Sequence, residues 1–264
     1  MSRPSDEVLL AAVDRHRGSM DETIRYIHDH PELPHAEVRC SAFLIDQLRS
    51  LGLEVEPGLA GMETGFRAVL RGARRGRRVG IVALYDAVAS VPPEGGIRAV
   101  HSCGHGPIAG GVIGAVAALS DHRGELAGEV VVMGCPADEI HAPATVARGS
   151  GKAVSAEAGA WDGMDAALYV HPEFIDTVSQ ESLWMRRLIG RVAGSRSLAE
   201  GATHPPLEMA ALALAAAAGL PAGRGVLERL EVDGDVEDGG GLVTEVTFLL
   251  WAEDEAGLER LAAE

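Results

Sequence analysis

Aromatic side chains are scarce in this sequence, at 4% of 264 residues, and no uninterrupted apolar run reaches the roughly 18 to 20 residues that a membrane span requires. Its apolar fraction of 47% comes from small and aliphatic residues instead. Positive charge is short as well. Lys plus Arg total 23 against 39 Asp plus Glu, a formal net charge of -16, so no cationic surplus exists to displace counterions from a phosphate backbone. Nucleic acid and membrane are therefore excluded as expected partners. Three cysteines, Cys40, Cys103 and Cys135, are too few and too scattered for a disulfide framework, which leaves reduced thiols and a Cys103 free to ligate a metal. The N-terminal stretch MSRPSDEVLLAAVDRHRG carries acids through its apolar positions and reads as an amphipathic helix, not a signal peptide, so a cytoplasmic protein is expected. The length is comfortable for two domains.

The chain is organised around His101-Ser-Cys103-Gly-His105-Gly106-Pro107 and the small-residue run that follows it. Cys103 and His105 are two residues apart, so an extended segment would project both to one side, and a thiolate with an imidazole is a pair that suits zinc. Gly104 lets the backbone approach whatever they hold, and Pro107 with the Ala/Gly/Val/Ile run predicts a helix over 107–119 packed against a sheet. Upstream, the periodicity predicts one helix over 6–29 ended by Pro31 and Pro34, a second over 37–51 stopped by Gly52, and strands at 53–56, 66–70 and 79–85. The arginine cluster 71–78 reads as a solvated turn between two of those strands. Downstream, GEVVVMG predicts a strand at 129–134 and AALYVHP another ending on His171.

Asp86, the Cys103/His105 pair, Asp138/Glu139 and His171 thus each fall at or just beyond a probable strand end, alternating with helices. In open α/β sheets that edge is where sites assemble, and Asp, Glu, His and Cys from four segments are what a two-zinc centre needs. From about residue 184 the order changes to strand, helix, strand, strand, helix, which predicts a small α+β domain with one antiparallel sheet.

These residues resemble the zinc-dependent amidohydrolase and peptidase superfamily of aminoacylase, carboxypeptidase and hippurate hydrolase. The likeness runs through IHDHPEL, YDAV, HSCGHGPIAGG, CPADE and ALYVHP. It implies a metallopeptidase-like α/β catalytic domain with a mixed, largely parallel sheet over 1–183 and a ferredoxin-like lid or dimerisation domain over 184–264. It also implies Cys103, His105, Glu139 and His171 as metal ligands, Asp138 as general base and Asp86 as an acid beside the metals. Two zinc ions are implied, with manganese or cobalt as alternatives. The substrate would be an N-acyl amino acid, dipeptide or similar small amide, and the assembly a homodimer or a pair with a complementing second chain.

Four departures accompany the likeness. Gly106 stands where the family has Asp or Asn, Asp138 is one methylene shorter than the family's Glu, and Leu198 replaces a lid histidine. The lid is also expected to lack its last strand, and the segment carrying one more histidine ligand is not in the sequence. A non-catalytic binding or partner subunit is therefore the alternative function. A thiol hydrolase built on Cys103 with His105 or His101 ranks third, because it leaves Glu139 and His171 unexplained. His28, His30 and His35 read as part of a structural turn, His141 as an exposed loop residue, Cys135 as core, and Tyr85 as a strand-end aromatic. His16 and His204 read as ordinary surface or helix-end residues.

Overall fold

The computed structural model describes residues 4–172, 184–194, 205–221, 224–234 and 241–263. The chain divides into two compact units, Met1–Ile175 and Asp176–Glu264.

The first unit opens with α1 (Asp6–Arg15) and α2 (Arg17–Asp29), two helices where the periodicity predicts one. The break is at His16, whose φ of -93° and ψ of 9° leave the helical range, and whose ring meets Asp121 at 3.0 Å. Helix α3 (Val38–Ser50) follows, then β1 (Glu54–Pro57), β2 (Phe66–Arg71) and β3 (Arg74–Ala83). The arginine cluster is therefore mostly strand, turning only at Gly72-Ala73. The guanidiniums of Arg71 and Arg78 pair with Glu54 and Glu129 across the sheet, which accounts for a basic run in a strand. A small antiparallel hairpin that the periodicity did not indicate, β4 (Val88–Ser90) with β5 (Arg98–Val100), precedes α4 (His105–Asp121). The unit continues through β6 (Ala127–Gly134), α5 (Pro143–Arg148), α6 (Gly151–Glu157) and β7 (Ala166–Leu168).

Its five-stranded sheet has the order β1-β2-β6-β3-β7. β1, β2 and β6 pair antiparallel, whereas β3 runs parallel to both β6 and β7. The central strands β2, β3 and β6 send successive side chains to opposite faces, and both faces are packed. Phe66, Ala68 and Leu70 of β2, Ala83 and Tyr85 beyond the middle of β3, and Val132 of β6 pack with Ile27, Leu44, Leu48 and Ile113 from the helices. Their neighbours Val69, Val82, Leu84, Val131 and Met133 face the other way, onto Leu59, Met62 and the half-buried Trp161.

Helix α4 lies against α2 through Gly106, Gly110 and Gly114, spaced four apart on one face. An added Cβ at Gly110 would stand 2.7 Å from Ile24 Cγ1 and 3.1 Å from the Met20 carbonyl. The second unit contains β8 (Trp184–Gly194), α7 (Pro205–Gly219), β9 (Gly225–Gly234), β10 (Leu242–Ala252) and α8 (Glu255–Ala263), with β10 central in an antiparallel β8-β10-β9 sheet. Leu250, Ala252 and Leu258 form its core with Leu188 and Phe248. Residue 183, at the expected domain boundary, and Leu198 and His204 lie outside the described residues. Among the described residues no helix is long and apolar enough to cross a membrane.

The glycine stripe yields a stability test. Gly110→Val should lose about 1 to 3 kcal/mol, because α2 must retreat from a β-branched side chain with no free volume. The midpoint of urea unfolding should fall, whereas Gly111→Ala, where an added Cβ meets nothing within 4 Å, should leave it unchanged or raise it slightly.

Candidate metal centre

Three parallel strands end on the same edge. Beyond β3 comes Asp86, beyond β6 the loop with Asp138 and Glu139, and beyond β7 His171; β3 lies between the other two. The fourth segment differs from the extended reading. Cys103 precedes Gly104, which is left-handed at φ 93°, and His105 is already the first residue of α4. The two side chains still converge, because the glycine turns the backbone before the helix begins. Gly104 also admits Pro172, whose Cγ would lie 2.6 Å from a Cβ built there, and so lets His171 stand beside Cys103.

The nitrogen and sulfur ligand atoms of Cys103, His105 and His171 lie within 4.8 Å of one another. His105 is 1% exposed. Its Nδ1–H donates to the Asp86 carbonyl at 2.7 Å, with the Asp86 carboxylate 2.9 Å from the same nitrogen. His171 Nδ1 likewise donates to the Pro172 carbonyl at 2.9 Å. Carbonyl oxygens only accept, so both rings carry their proton on Nδ1 and turn Nε2 into the cluster, where Nε2 of His171 meets the Cys103 sulfur at 3.4 Å; this is the tautomer that imidazole ligands of metals adopt. Nε2 of His105 and Oε1 of Glu139 are buried, have no hydrogen-bond partner, and lie 3.7 Å apart. Asp138 Oδ2 is 3.8 Å from the same Nε2. Asp86 touches both ligand-bearing segments, accepting the Glu139 backbone N–H on Oδ2 at 2.9 Å. Its place is that of a positioning carboxylate.

The electrostatics are those of a cluster short of positive charge. Burial, followed by the carboxylates of Glu139, Asp138 and Asp86, pushes the Cys103 thiol up to about 12. Burial also raises Glu139 above the usual carboxylate range. Burial works against charge on His105, but its contacts with Asp86 outweigh that and hold the imidazole above its ordinary value. A thiol nucleophile needs the opposite field, one that lowers its pKa, so the carboxylates around Cys103 argue against the thiol-hydrolase alternative although His171 Nε2 lies 3.4 Å from the sulfur. A dication would relieve every one of these costs at once, and a thiolate, two imidazoles and a carboxylate are a donor set that suits zinc and related ions.

Other residues fall away from the cluster. His101 takes a hydrogen bond with the Ile27 backbone, and burial lowers its pKa. Tyr85 is buried and donates to the Thr64 carbonyl at 2.6 Å. Gly106 faces Ile24 of α2. His30 bonds the Tyr26 carbonyl, and Cys40 donates its thiol to the His30 carbonyl. Glu32 of the IHDHPEL stretch accepts the Arg39 and Cys40 N–H groups, capping α3, while its carbonyl accepts from Ala87 next to Asp86. The stretch is thus a structural turn that anchors the strand end carrying Asp86.

Three residues that the sequence did not single out prove central. Buried Glu37 accepts the backbone N–H groups of His35 (2.8 Å) and Ala137 (2.9 Å), both non-glycine residues at positive φ, and the Thr64 hydroxyl at 2.8 Å. It pins the strained turn immediately before Asp138. Lys152 of α6 places its ammonium 2.6 Å from Asp138 Oδ1, and Tyr169 covers it, with the ring centroid 4.0 Å from Nζ. No periodicity or spacing marks these contacts, which join residues far apart in sequence; the signal for Lys152 is compositional.

Burial pushes the Glu37 carboxyl from its ordinary 4.5 up to about 7, against the opposing Thr64 hydrogen bond. The folded chain thus holds this proton more tightly than the unfolded one. The resulting stability is fully present below pH 4.5 and is lost as pH rises through about 7. Glu37→Gln, which cannot titrate, should remove that slope. The difference in unfolding free energy between wild type and variant should change by on the order of 3 kcal/mol between pH 4.5 and 8. Parallel profiles in denaturant titrations would show that folding does not raise the Glu37 pKa.

No protein-family model matches the chain. It is 30% identical over 153 residues to thermostable carboxypeptidase 2 of Saccharolobus solfataricus, a match covering 56% of this chain and 37% of the carboxypeptidase. It is 29% identical over 155 residues to an N-acetyl-L-cysteine deacetylase of Bacillus subtilis, covering 56% of this chain and 34% of that protein. The match therefore spans little more than a third of these relatives. In fold it is similar to the crystal structure of the Bacillus subtilis YxeP protein, a dinuclear metal-binding peptidase of the M20 family. The TM-score is 0.64 at 20% identity, over 97% of this chain and 67% of that one. By sequence the chain is similar to these carboxypeptidase and deacetylase relatives, and its fold is similar to that of the M20-family peptidase.

Proposed function

We propose that the protein is a metal-dependent amidohydrolase that cleaves the amide bond of an N-acyl amino acid, dipeptide or similar small amide. The observation that carries this reading is the pair of buried, unpartnered acceptors, His105 Nε2 and Glu139 Oε1, set 3.7 Å apart beside Cys103 and His171. Unsatisfied buried acceptors are costly, and a cation between them removes the cost. Cys103, His105, Glu139 and His171 would hold metal, zinc by their donor types, with two ions per site and manganese or cobalt as alternatives. Metal bound there supplies an electrophile for the amide carbonyl and makes a water molecule more acidic.

The protein's own groups supply the rest. Asp138, whose Oδ2 lies 3.8 Å from His105 Nε2, stands at the edge of the ligand cluster, where it can take a proton from the attacking water and return it to the leaving amine. Asp86 keeps the His105 ring in one tautomer and one orientation. Glu37 holds the turn before Asp138, so that the shorter carboxylate does not wander.

Association as a homodimer, or with a complementing chain, is part of the proposal. Its support is that β8, an 11-residue strand at one edge of the second unit's sheet, exposes Trp184, Met185 and Ile189. The second reading, a metal-binding partner subunit without turnover, is favoured by the Lys152–Asp138 pair, because an ammonium 2.6 Å away occupies an oxygen of the carboxylate that would have to take the proton from water.

Elemental analysis of protein purified without chelators should find near two equivalents of transition metal per chain, lost in Glu139→Ala. Asp86→Asn should weaken metal affinity by about 10 to 100-fold. EDTA should abolish hydrolysis of N-acetyl amino acids. Metal-free wild-type protein would overturn the metal reading, and metal-replete protein without turnover on any acylated amino acid would favour the partner subunit.

A further inference from the structure

Lys152 is the only lysine in the chain, one of 23 lysines and arginines. Wherever else a side chain of this kind forms an ion pair in the described residues, as in Arg15–Asp121, Arg78–Glu129 or Arg187–Glu228, it is an arginine. The position of the exception is also unfavourable for a merely structural cation. It is the second residue of α6, a helix N-terminus, where the aligned peptide dipoles disfavour positive charge. The ammonium is held there by the site. It lies 2.6 Å from Asp138 Oδ1, while Oδ2 of the same carboxylate is 3.8 Å from His105 Nε2. One carboxylate width therefore separates a fixed positive charge from the ligand cluster.

An ammonium has three donors, and Asp138 takes one of them. The Tyr169 ring covers it at 4.0 Å, and the side chain is 32% exposed, so it is reachable by a small molecule. Arginine could not occupy this place equivalently, since its flat fork needs more width than a point charge lodged between a carboxylate and a ring face. The surroundings are otherwise acidic, with Asp86, Asp138 and Glu139 close together in a chain of net charge -16. An anionic substrate needs a fixed cation there to enter and to choose its orientation.

The geometry points to Lys152 as the specificity-determining cation of this site: its ammonium, shared with Asp138, anchors the carboxylate of an N-acyl amino acid next to the amide bond to be cut. The inference rests on the hydrolase reading and deepens it by naming the residue that selects a free carboxylate on the amine half of the amide. An acid should be preferred over the corresponding neutral amide, and the preference should reside in Lys152.

Two measurements on the metal-replete protein test it. Biosynthetic incorporation of 13Cε-lysine leaves the ammonium and its three donors intact and labels Lys152 alone, which gives one lysine resonance. N-acetyl-L-alanine should shift that resonance saturably, and N-acetyl-L-alaninamide should not. In steady-state kinetics, Lys152→Met should raise KM for the acid by about 10 to 100-fold, the loss of one charged hydrogen bond, while KM for the amide changes by less than about threefold. Lys152→Arg should recover part of the discrimination. Circular dichroism and metal content check that the variants fold and load.

If wild type turns over neither compound, the hydrolase reading fails by itself. The resonance then still decides: a shift with the acid alone keeps an anion-binding lysine, and no shift with either removes it. If wild type is active but Lys152→Met raises both KM values equally, or neither, the anchor is overturned while the hydrolase stands.

Discussion

The contact on which the site depends is between a buried carboxylate and two segments that it cannot reach by local sequence. Asp86 is 1% exposed, yet its carbonyl and carboxylate hold the His105 ring while its other oxygen holds the Glu139 backbone. Two donor groups, the His105 ring N–H and the Glu139 backbone N–H, thereby share one residue. Removing that acid from water is costly unless its lone pairs are satisfied, so the cost itself enforces the geometry. The parallel arrangement of β3 with β6 and β7 makes this possible, because parallel strands deliver their C-terminal ends, and the loops beyond them, to one edge.

A second set of contacts stiffens the frame from the other side. Glu37 collects two backbone N–H groups from residues at positive φ, and Glu32 caps α3 while its carbonyl holds Ala87. Left-handed conformations at His35 and Ala137 each cost of order 1 kcal/mol or more, and they persist because this buried carboxylate over-determines them. The strain lies immediately before Asp138, where a departure of a fraction of an ångström would matter to proton transfer. Asp138 in turn stands between two groups, with the His105 imidazole on one side and the Lys152 ammonium on the other.

Much of the fold was legible. The core strands β2, β3 and β6 follow from Val- and Leu-rich runs, and helix α3 from the spacing of Leu44 and Leu48. The errors have local causes. His16 interrupts a helical period that continues in phase on either side, so periodicity alone cannot see the break. The arginine run reads as solvated until Glu54 and Glu129 are found across the strands from it. Cys103 and His105 were expected to converge in an extended segment, whereas a left-handed Gly104 and a helix start bring them together instead.

What the sequence by itself determined is the inventory of chemistry and its order along the chain. A thiol, imidazoles and carboxylates stand just past strand ends, and residue type with hydrophobic period is enough to reveal that. Which atoms of those residues face one another was decided only by tertiary structure. Both imidazoles turn Nε2 toward the cluster because Nδ1 is tied to a carbonyl, and that requires knowing which carbonyl lies within 3 Å. Lys152 and Glu37 belong to the same category. Each acts through a partner distant in sequence, and such contacts follow from how elements pack, a property that no local pattern encodes.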